Sequence, residues 1–86
     1  APLLAVEVLS RSTRAYDLTL KRATLEAAGT ASYWVVDPGT GGAAPTMIGS
    51  ELRGSTYVEV ARATGDEEFA VELPFPVTIR PTQLLD

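Results

Sequence analysis

The alternation of apolar and polar positions predicts a strand, a helix and a second strand in the first part of the chain. The run APLLAVEVLS is apolar on both sides of Glu7, which is typical of a strand covered on both faces. From about residue 14 to residue 28 apolar residues recur at helical spacing, and Gly29 is placed to end that helix in a left-handed turn. The aromatic and β-branched segment ASYWVVDP predicts the next strand. Because the links are short, the two strands are expected to be parallel, with a right-handed crossover.

The helix is expected to turn one apolar stripe toward the sheet. Its predicted members are Tyr16, Leu20, Ala23 and Ala27, widened by Leu18, Leu25 and Ala28.

Beyond a turn cluster, PGTGGAAP, the chain predicts shorter strands. They are expected at residues 46–49, 56–63 and 69–73, with a hairpin turn at LRGS between the first two. Prolines extend the segment LPFPVTIRP, and Pro81 is placed to begin a short terminal helix. The predicted fold class is α/β, more exactly an α+β mixed sheet: strand, helix and strand followed by a β-meander, in one domain over residues 1–86.

Composition narrows the chemistry that this chain can carry. The 86 residues include no His and no Cys, which excludes a Ser-His-Asp triad, a Cys nucleophile and a His/Cys zinc site. Any metal would be a hard, oxygen-binding ion such as Mg²⁺ or Mn²⁺. The formal net charge of −4 requires that any nucleic-acid contact come from a local patch.

No apolar run reaches the roughly 20 residues that span a membrane, and no segment has the pattern of a signal peptide, so a cytoplasmic location is expected. The chain begins at Ala1, without an initiator Met, and passes directly into an apolar strand. We therefore expect a fragment whose first strands are missing.

Four charged residues stand out, Glu7, Asp17, Lys21 and Asp37, and the first three form the candidate catalytic group. An unpaired charge in an apolar strand would be very costly, so Glu7 needs a partner. Asp17 and Lys21 are four residues apart and share one face of the helix. Lys21 is the sole Lys among seven basic residues, and its compact ammonium differs chemically from a guanidinium.

Structural alternatives stand beside this interpretation. Glu7 could be a structural acid paired with Arg14 or Arg22, and the helical Asp–Lys pair could be a plain surface pair. Asp37, before a proline, could be a turn residue that binds its own backbone. Arg11 and Arg14, next to the start of the helix, could hold a phosphate or could simply be solvated.

Nearly half of the chain, LLAVEVLSRSTRAYDLTLKRATLEAAGTASYWVVDP, resembles the core of the Uma2 family, also called DUF820. That family is assigned to the PD-(D/E)XK nuclease superfamily. The blocks that agree are Val-Glu-Val-Leu-Ser, an Asp and a Lys on a helix, and Tyr-Trp with a hydrophobic pair before Asp-Pro. The later ELPFPVTI resembles the family's Leu-Pro-Gly-Phe-Pro segment without its Gly. The resemblance implies a restriction-endonuclease-like core, of which this chain would be the C-terminal half.

The resemblance also implies roles for individual residues. Glu7 would be the metal-binding acid of the (D/E)XK motif, and Val8 would offer its backbone carbonyl to the same Mg²⁺ or Mn²⁺. The usual Lys position is Leu9, and Lys21 on the helix would be its equivalent. Asp17 matches the family's helical Asp.

The chain also departs from the family pattern. Leu3 stands where an Asp is expected, Arg11 replaces a Pro, and Ser32 replaces a Glu. A second Pro-Asp pair of full-length relatives would lie upstream of these 86 residues. This fragment alone is therefore expected to lack one metal ligand and to be inactive.

The resemblance favours a metal-dependent endonuclease that hydrolyses DNA phosphodiester bonds, with Arg11 and Arg14 holding the backbone of the DNA. One alternative is a catalytically inactive module of the same fold that binds nucleic acid or a protein partner. Another is a structural half-domain that completes its sheet in a homodimer.

Overall fold

A computed structural model describes residues 2–10, 15–39 and 41–84 of the chain. Their elements, in chain order, are strand β1 (Leu4–Val8), helix α1 (Ala15–Ala28), strands β2 (Ser32–Asp37), β3 (Thr46–Arg53), β4 (Thr56–Thr64), β5 (Phe69–Val71) and β6 (Val77–Ile79), and a 3₁₀ helix (Pro81–Leu84). Arg11 and Arg14, predicted to hold a DNA backbone, lie outside the described residues.

The predicted mixed sheet is confirmed. Four strands lie in the order β1-β2-β3-β4, with β1 parallel to β2 and the later neighbours antiparallel. Glu7 lies opposite Val35 in the register of β1 and β2. Strand, helix and strand followed by a meander form a mixed α/β fold that is compatible with a restriction-endonuclease-like core. Strands β5 and β6 make a separate antiparallel pair.

The core lies on the face of the four-stranded sheet that the β5–β6 pair covers. Its buried members are Trp34, Val36, Met47, Ala63, Phe69 and Val71. Phe69 is fully buried, and its ring meets Trp34 edge to face at 5.4 Å between centroids. Gly49 of β3 lies directly under this ring, because a Cβ built there would be 2.8 Å from Phe69 Cζ. Only a glycine leaves room for so close an approach.

The prediction that β1 is covered on both faces is wrong for the described residues. Val6 is 51% exposed and Val8 is 61% exposed. The physical reason is that β1 lies at the edge of the sheet. Among the described strands it pairs with β2 alone, and all buried members of the core cluster lie in β2 or later strands. The outer edge of β1 is where the predicted homodimer would extend the sheet, and that dimer stays a prediction.

Helix α1 ends as predicted, but it faces the sheet differently from the predicted stripe. Gly29 has a φ of 75°, and its amide bonds to the Glu26 carbonyl, a conformation in which glycine carries no steric penalty. Leu20, predicted to face the sheet, is 55% exposed. Two polar side chains of the helix, Arg22 and Glu26, contact β4 instead. Arg22 Nη2 donates to the Tyr57 carbonyl at 2.8 Å. Glu26 Oε2 accepts from the Tyr57 amide at 2.9 Å.

Several boundaries also differ from the sequence prediction. Strand β3 continues to Arg53, because the β3–β4 hairpin stays paired as far as its Gly54 turn. Strand β5 ends at Val71, whereas residues 77–79, within the proline-rich segment, form the strand β6. The helix that begins at Pro81 is confirmed as a 3₁₀ helix.

Candidate functional site

An ion pair between β1 and α1 is the centre of the candidate site. Lys21 Nζ donates to both carboxylate oxygens of Glu7, each at 2.7 Å. The Glu7 side chain is 20% exposed, whereas that of Lys21 is 54% exposed. Two of the three predicted catalytic residues, fourteen positions apart, are thus in direct contact.

Local structure explains why these two residues meet. Side chains alternate along β1, so Glu7 and Ala5 point to the helix side while Val6 and Val8 point to the other. The carboxylate is therefore presented to α1, and the second turn of the helix carries Lys21 over it. The partnership with Arg22 considered from the sequence is wrong, because Arg22 donates to Glu26 and to the Tyr57 carbonyl.

The electrostatics of the pair keep Lys21 charged. The hydrogen bond to Glu7 raises the pKa of Lys21 above its ordinary value, although desolvation opposes the shift. The Coulombic attraction of Glu7 raises it further, and those of Tyr33 and Asp17 add smaller increments. Near neutral pH the site therefore holds an ammonium against the carboxylate.

A groove of about 390 Å³ opens beside the ion pair, between α1 and the outer part of β1. Its walls are mainly apolar: Ala5, Leu20 and Leu25 line it, together with Thr24 and the β1 segment at Val6. Glu7, Lys21 and Tyr33 supply its charged groups and its phenol. A largely apolar groove with a few convergent polar groups is typical of a binding site.

Tyr33 is a site residue that the sequence did not reveal. It precedes Val35, the register partner of Glu7, by two positions, so its side chain rises from the same face of the sheet. Tyr33 is 6% exposed, and its hydroxyl has no hydrogen-bond partner among the described residues. Burial raises the pKa of this phenol, and the negative charge of Glu7 adds to the shift. The strand pattern could have indicated that Tyr33 shares a sheet face with Glu7. Whether its hydroxyl has a hydrogen-bond acceptor depends on packing, which the pattern does not show.

A second groove, of about 350 Å³, lies on the other side of Tyr33, over β3 and β4. Its two guanidinium groups are already engaged. Arg62 forms an ion pair with Glu59 at 2.9 Å, and Arg22 donates to the Tyr57 carbonyl. Both guanidinium groups of this groove thus have partners within the protein. The Glu7 groove is the stronger candidate, because it combines a carboxylate with an ammonium that is 54% exposed.

The other residues predicted from the sequence take no part in the hydrogen bonds between Glu7 and Lys21. Asp17 lies in the first turn of α1, one turn before Lys21, and its charge contributes to the raised pKa of that ammonium. Val8 ends β1 directly after Glu7. Asp37 Oδ1 accepts the Gly39 amide at 2.9 Å, as expected for a turn residue.

The described residues contain no group of three or more His, Cys, Asp or Glu side chains close enough to hold a metal ion. Among the described residues, Glu7 is therefore a single carboxylate donor beside the Lys21 ammonium. Within the described ranges no helix is both long and apolar enough to cross a membrane.

Comparison with known protein families gives a match over most of the chain. The model of the Uma2 family, described as "Putative restriction endonuclease", matches residues 1–83. No curated protein and no solved structure is significantly similar to the chain.

Proposed function

This chain belongs to the Uma2 family, and from that premise we propose that it is a metal-dependent endonuclease that hydrolyses DNA phosphodiester bonds. The observation that carries the proposal is the Glu7–Lys21 pair. A carboxylate in an otherwise apolar strand contacts the sole lysine of the chain at 2.7 Å, at the wall of an open groove. One acid to bind a cation and one ammonium to bind phosphate are groups that phosphodiester hydrolysis uses.

The donor chemistry of the site fits Mg²⁺ or Mn²⁺. Both ions take carboxylate and carbonyl oxygens, which Glu7 and the main chain of Val8 would provide. Mg²⁺ is commonly held by one or two carboxylates, with water and substrate phosphate completing its ligands, so one carboxylate is a sufficient start. Such a cation supplies charge stabilisation at the phosphate and a more acidic water.

Lys21 and Asp17 would have separate roles beside the cation. Lys21, turned away from Glu7, can donate to a phosphate oxygen on which negative charge develops. Asp17 favours the protonated form of Lys21 and so keeps it able to donate.

The proposal predicts cleavage that needs both Glu7 and a divalent cation. Nicking of supercoiled plasmid by the full-length protein is followed with Mg²⁺, with Mn²⁺ or with EDTA. Glu7→Gln is expected to slow nicking by about 100-fold, the scale for loss of one preorganised electrostatic group. Lys21→Ala is expected to act in the same direction.

The chain offers matched controls. Glu51 has a side chain 18% exposed, close to the 20% of Glu7, and it pairs with Arg53. Glu51→Gln therefore removes an equivalent carboxylate, and it should leave nicking unchanged. Equal rates in wild type and Glu7→Gln, or nicking that persists in EDTA, would contradict the proposal.

A second candidate is a nuclease-fold module that binds nucleic acid or a protein without cleaving. The observation in its favour is that no acidic cluster forms among the described residues. Such a module would bind DNA equally well in EDTA, because its contacts would need no cation.

A further inference from the structure

Two buried tyrosines lie side by side under α1, with ring centroids 5.5 Å apart. The Tyr57 hydroxyl donates to the Thr30 carbonyl at 2.7 Å. The Tyr33 hydroxyl has no acceptor among the described residues, although both rings are more than nine-tenths buried. A buried donor that makes no hydrogen bond loses its contact with water and gains no partner in exchange, so the arrangement calls for an explanation.

The location of the hydroxyl suggests that explanation. Tyr33 lines the same groove as Glu7 and Lys21, and it stands on the same face of the sheet as Glu7. Both oxygens of Glu7 are taken by the Lys21 ammonium. Lys21 holds the carboxylate in one orientation, and its release would let Glu7 turn an oxygen, which can accept several hydrogen bonds, toward the donor that lines the same groove.

We propose that Tyr33 is a positioning residue, whose hydroxyl donates to the Glu7 carboxylate once Lys21 has left it and so fixes the orientation of Glu7 toward a divalent cation. The inference rests on the proposed function. Lys21 contacts both Glu7 oxygens, so a cation that binds this carboxylate has to displace the ammonium from at least one of them, and repulsion between the two cations favours that displacement. The outer hydrogen bond of a metal-binding side chain orients that side chain and supports metal affinity. The unpaired state of Tyr33 is then the resting state of the site.

The first test needs no metal. Urea denaturation midpoints at pH 7 are compared for Tyr33→Phe in two backgrounds, wild type and Lys21→Met. In wild type the substitution removes an unpaired hydroxyl, so the midpoint is expected to stay or rise. In Lys21→Met the hydroxyl has Glu7 as its acceptor, so the same substitution is expected to lower the midpoint. An identical shift in both backgrounds would overturn the inference.

The second test measures Mn²⁺ binding to the full-length protein by calorimetry. Tyr33→Phe is expected to weaken Mn²⁺ affinity about 10-fold, the scale for loss of an outer hydrogen bond to a metal ligand. Tyr57→Phe is the matched control, which should lower the midpoint and leave Mn²⁺ affinity unchanged. Unchanged affinity in Tyr33→Phe would overturn the inference. If the wild type takes up no Mn²⁺, the proposed function fails, whereas the two midpoints still decide whether Tyr33 holds Glu7.

Discussion

At the scale of residues, the buried phenols make the stability of this protein sensitive to alkaline pH. Burial raises the pKa of both Tyr33 and Tyr57 above the ordinary value, and the nearby charges of Glu7 and Glu26 add to the respective shifts. The folded state therefore keeps phenolic protons that the unfolded chain gives up at about pH 10. Because the folded state binds more protons in this range, the free energy of unfolding falls as pH rises.

We expect the stability contributed by these phenols to be complete below about pH 10 and to be lost as pH rises through their folded-state pKa values. Urea denaturation at pH 8 and at pH 10.5, in a metal-free buffer, measures the loss. The Tyr57→Phe variant should lose less stability between these two conditions than the wild type, since one titrating group is absent. The same loss in wild type and variant would show that the Tyr57 phenol does not carry the effect.

The sequence could single out Glu7 and Lys21 as site residues because each is chemically unusual where it stands, but it did not predict that the two side chains pair with each other. Glu7 interrupts an apolar run, and Lys21 is the sole lysine of the chain. The sequence could not predict Tyr33 as a site residue, because an aromatic residue in a strand normally indicates packing. Its missing acceptor becomes visible only when the neighbours of the hydroxyl are known.

At the scale of elements, polar contacts as well as apolar ones hold the helix to the sheet. Glu26 and Arg22 form hydrogen bonds with the backbone of Tyr57, whereas Leu20 of the predicted stripe is exposed. Helical periodicity alone could not reveal this, because a carboxylate that accepts a backbone amide looks like a surface residue in the sequence. Strand β6 was missed because the prolines around it suggested unpaired extended chain, although its partner β5 ends only six residues before it begins.

The contact between Gly49 and Phe69 predicts a strong element-scale effect. In Gly49→Ala the new methyl group would lie 2.8 Å from Phe69 Cζ, and a fully buried ring has no free space into which to move. We expect the free energy of unfolding to fall by about 1 to 3 kcal/mol, the cost of overpacking a core. Thermal and urea denaturation measure this loss. In a Phe69→Leu background, which lacks Cζ, the same substitution should cost less, and an equal cost would contradict this explanation.

At the scale of the whole molecule, the charge of −4 opposes DNA, whose phosphates are also negative. Glu7 adds to that repulsion at the candidate site itself. A divalent cation there would reverse the local charge, so binding of DNA should depend on the cation as strongly as cleavage does.

We therefore expect duplex DNA to bind in Mg²⁺ and to dissociate in EDTA, as measured by fluorescence anisotropy at fixed ionic strength. Glu7→Gln and Glu51→Gln change the net charge equally, so any difference between them reports on position rather than on charge. Only Glu7→Gln should lose the Mg²⁺ dependence of binding. Equal binding in Mg²⁺ and EDTA by the wild type would instead favour the non-catalytic module.

The ion pair has one more consequence, which concerns reactivity toward labels. Lys21 is the one lysine of the chain, so its ε-amine is the one side-chain amine that an acylating or imine-forming reagent can modify. Only an uncharged amine attacks such reagents, and the carboxylate of Glu7, which raises the pKa of Lys21, keeps that form scarce. The rate of side-chain labelling therefore reports whether the Lys21 amine is in contact with the Glu7 carboxylate or has left it.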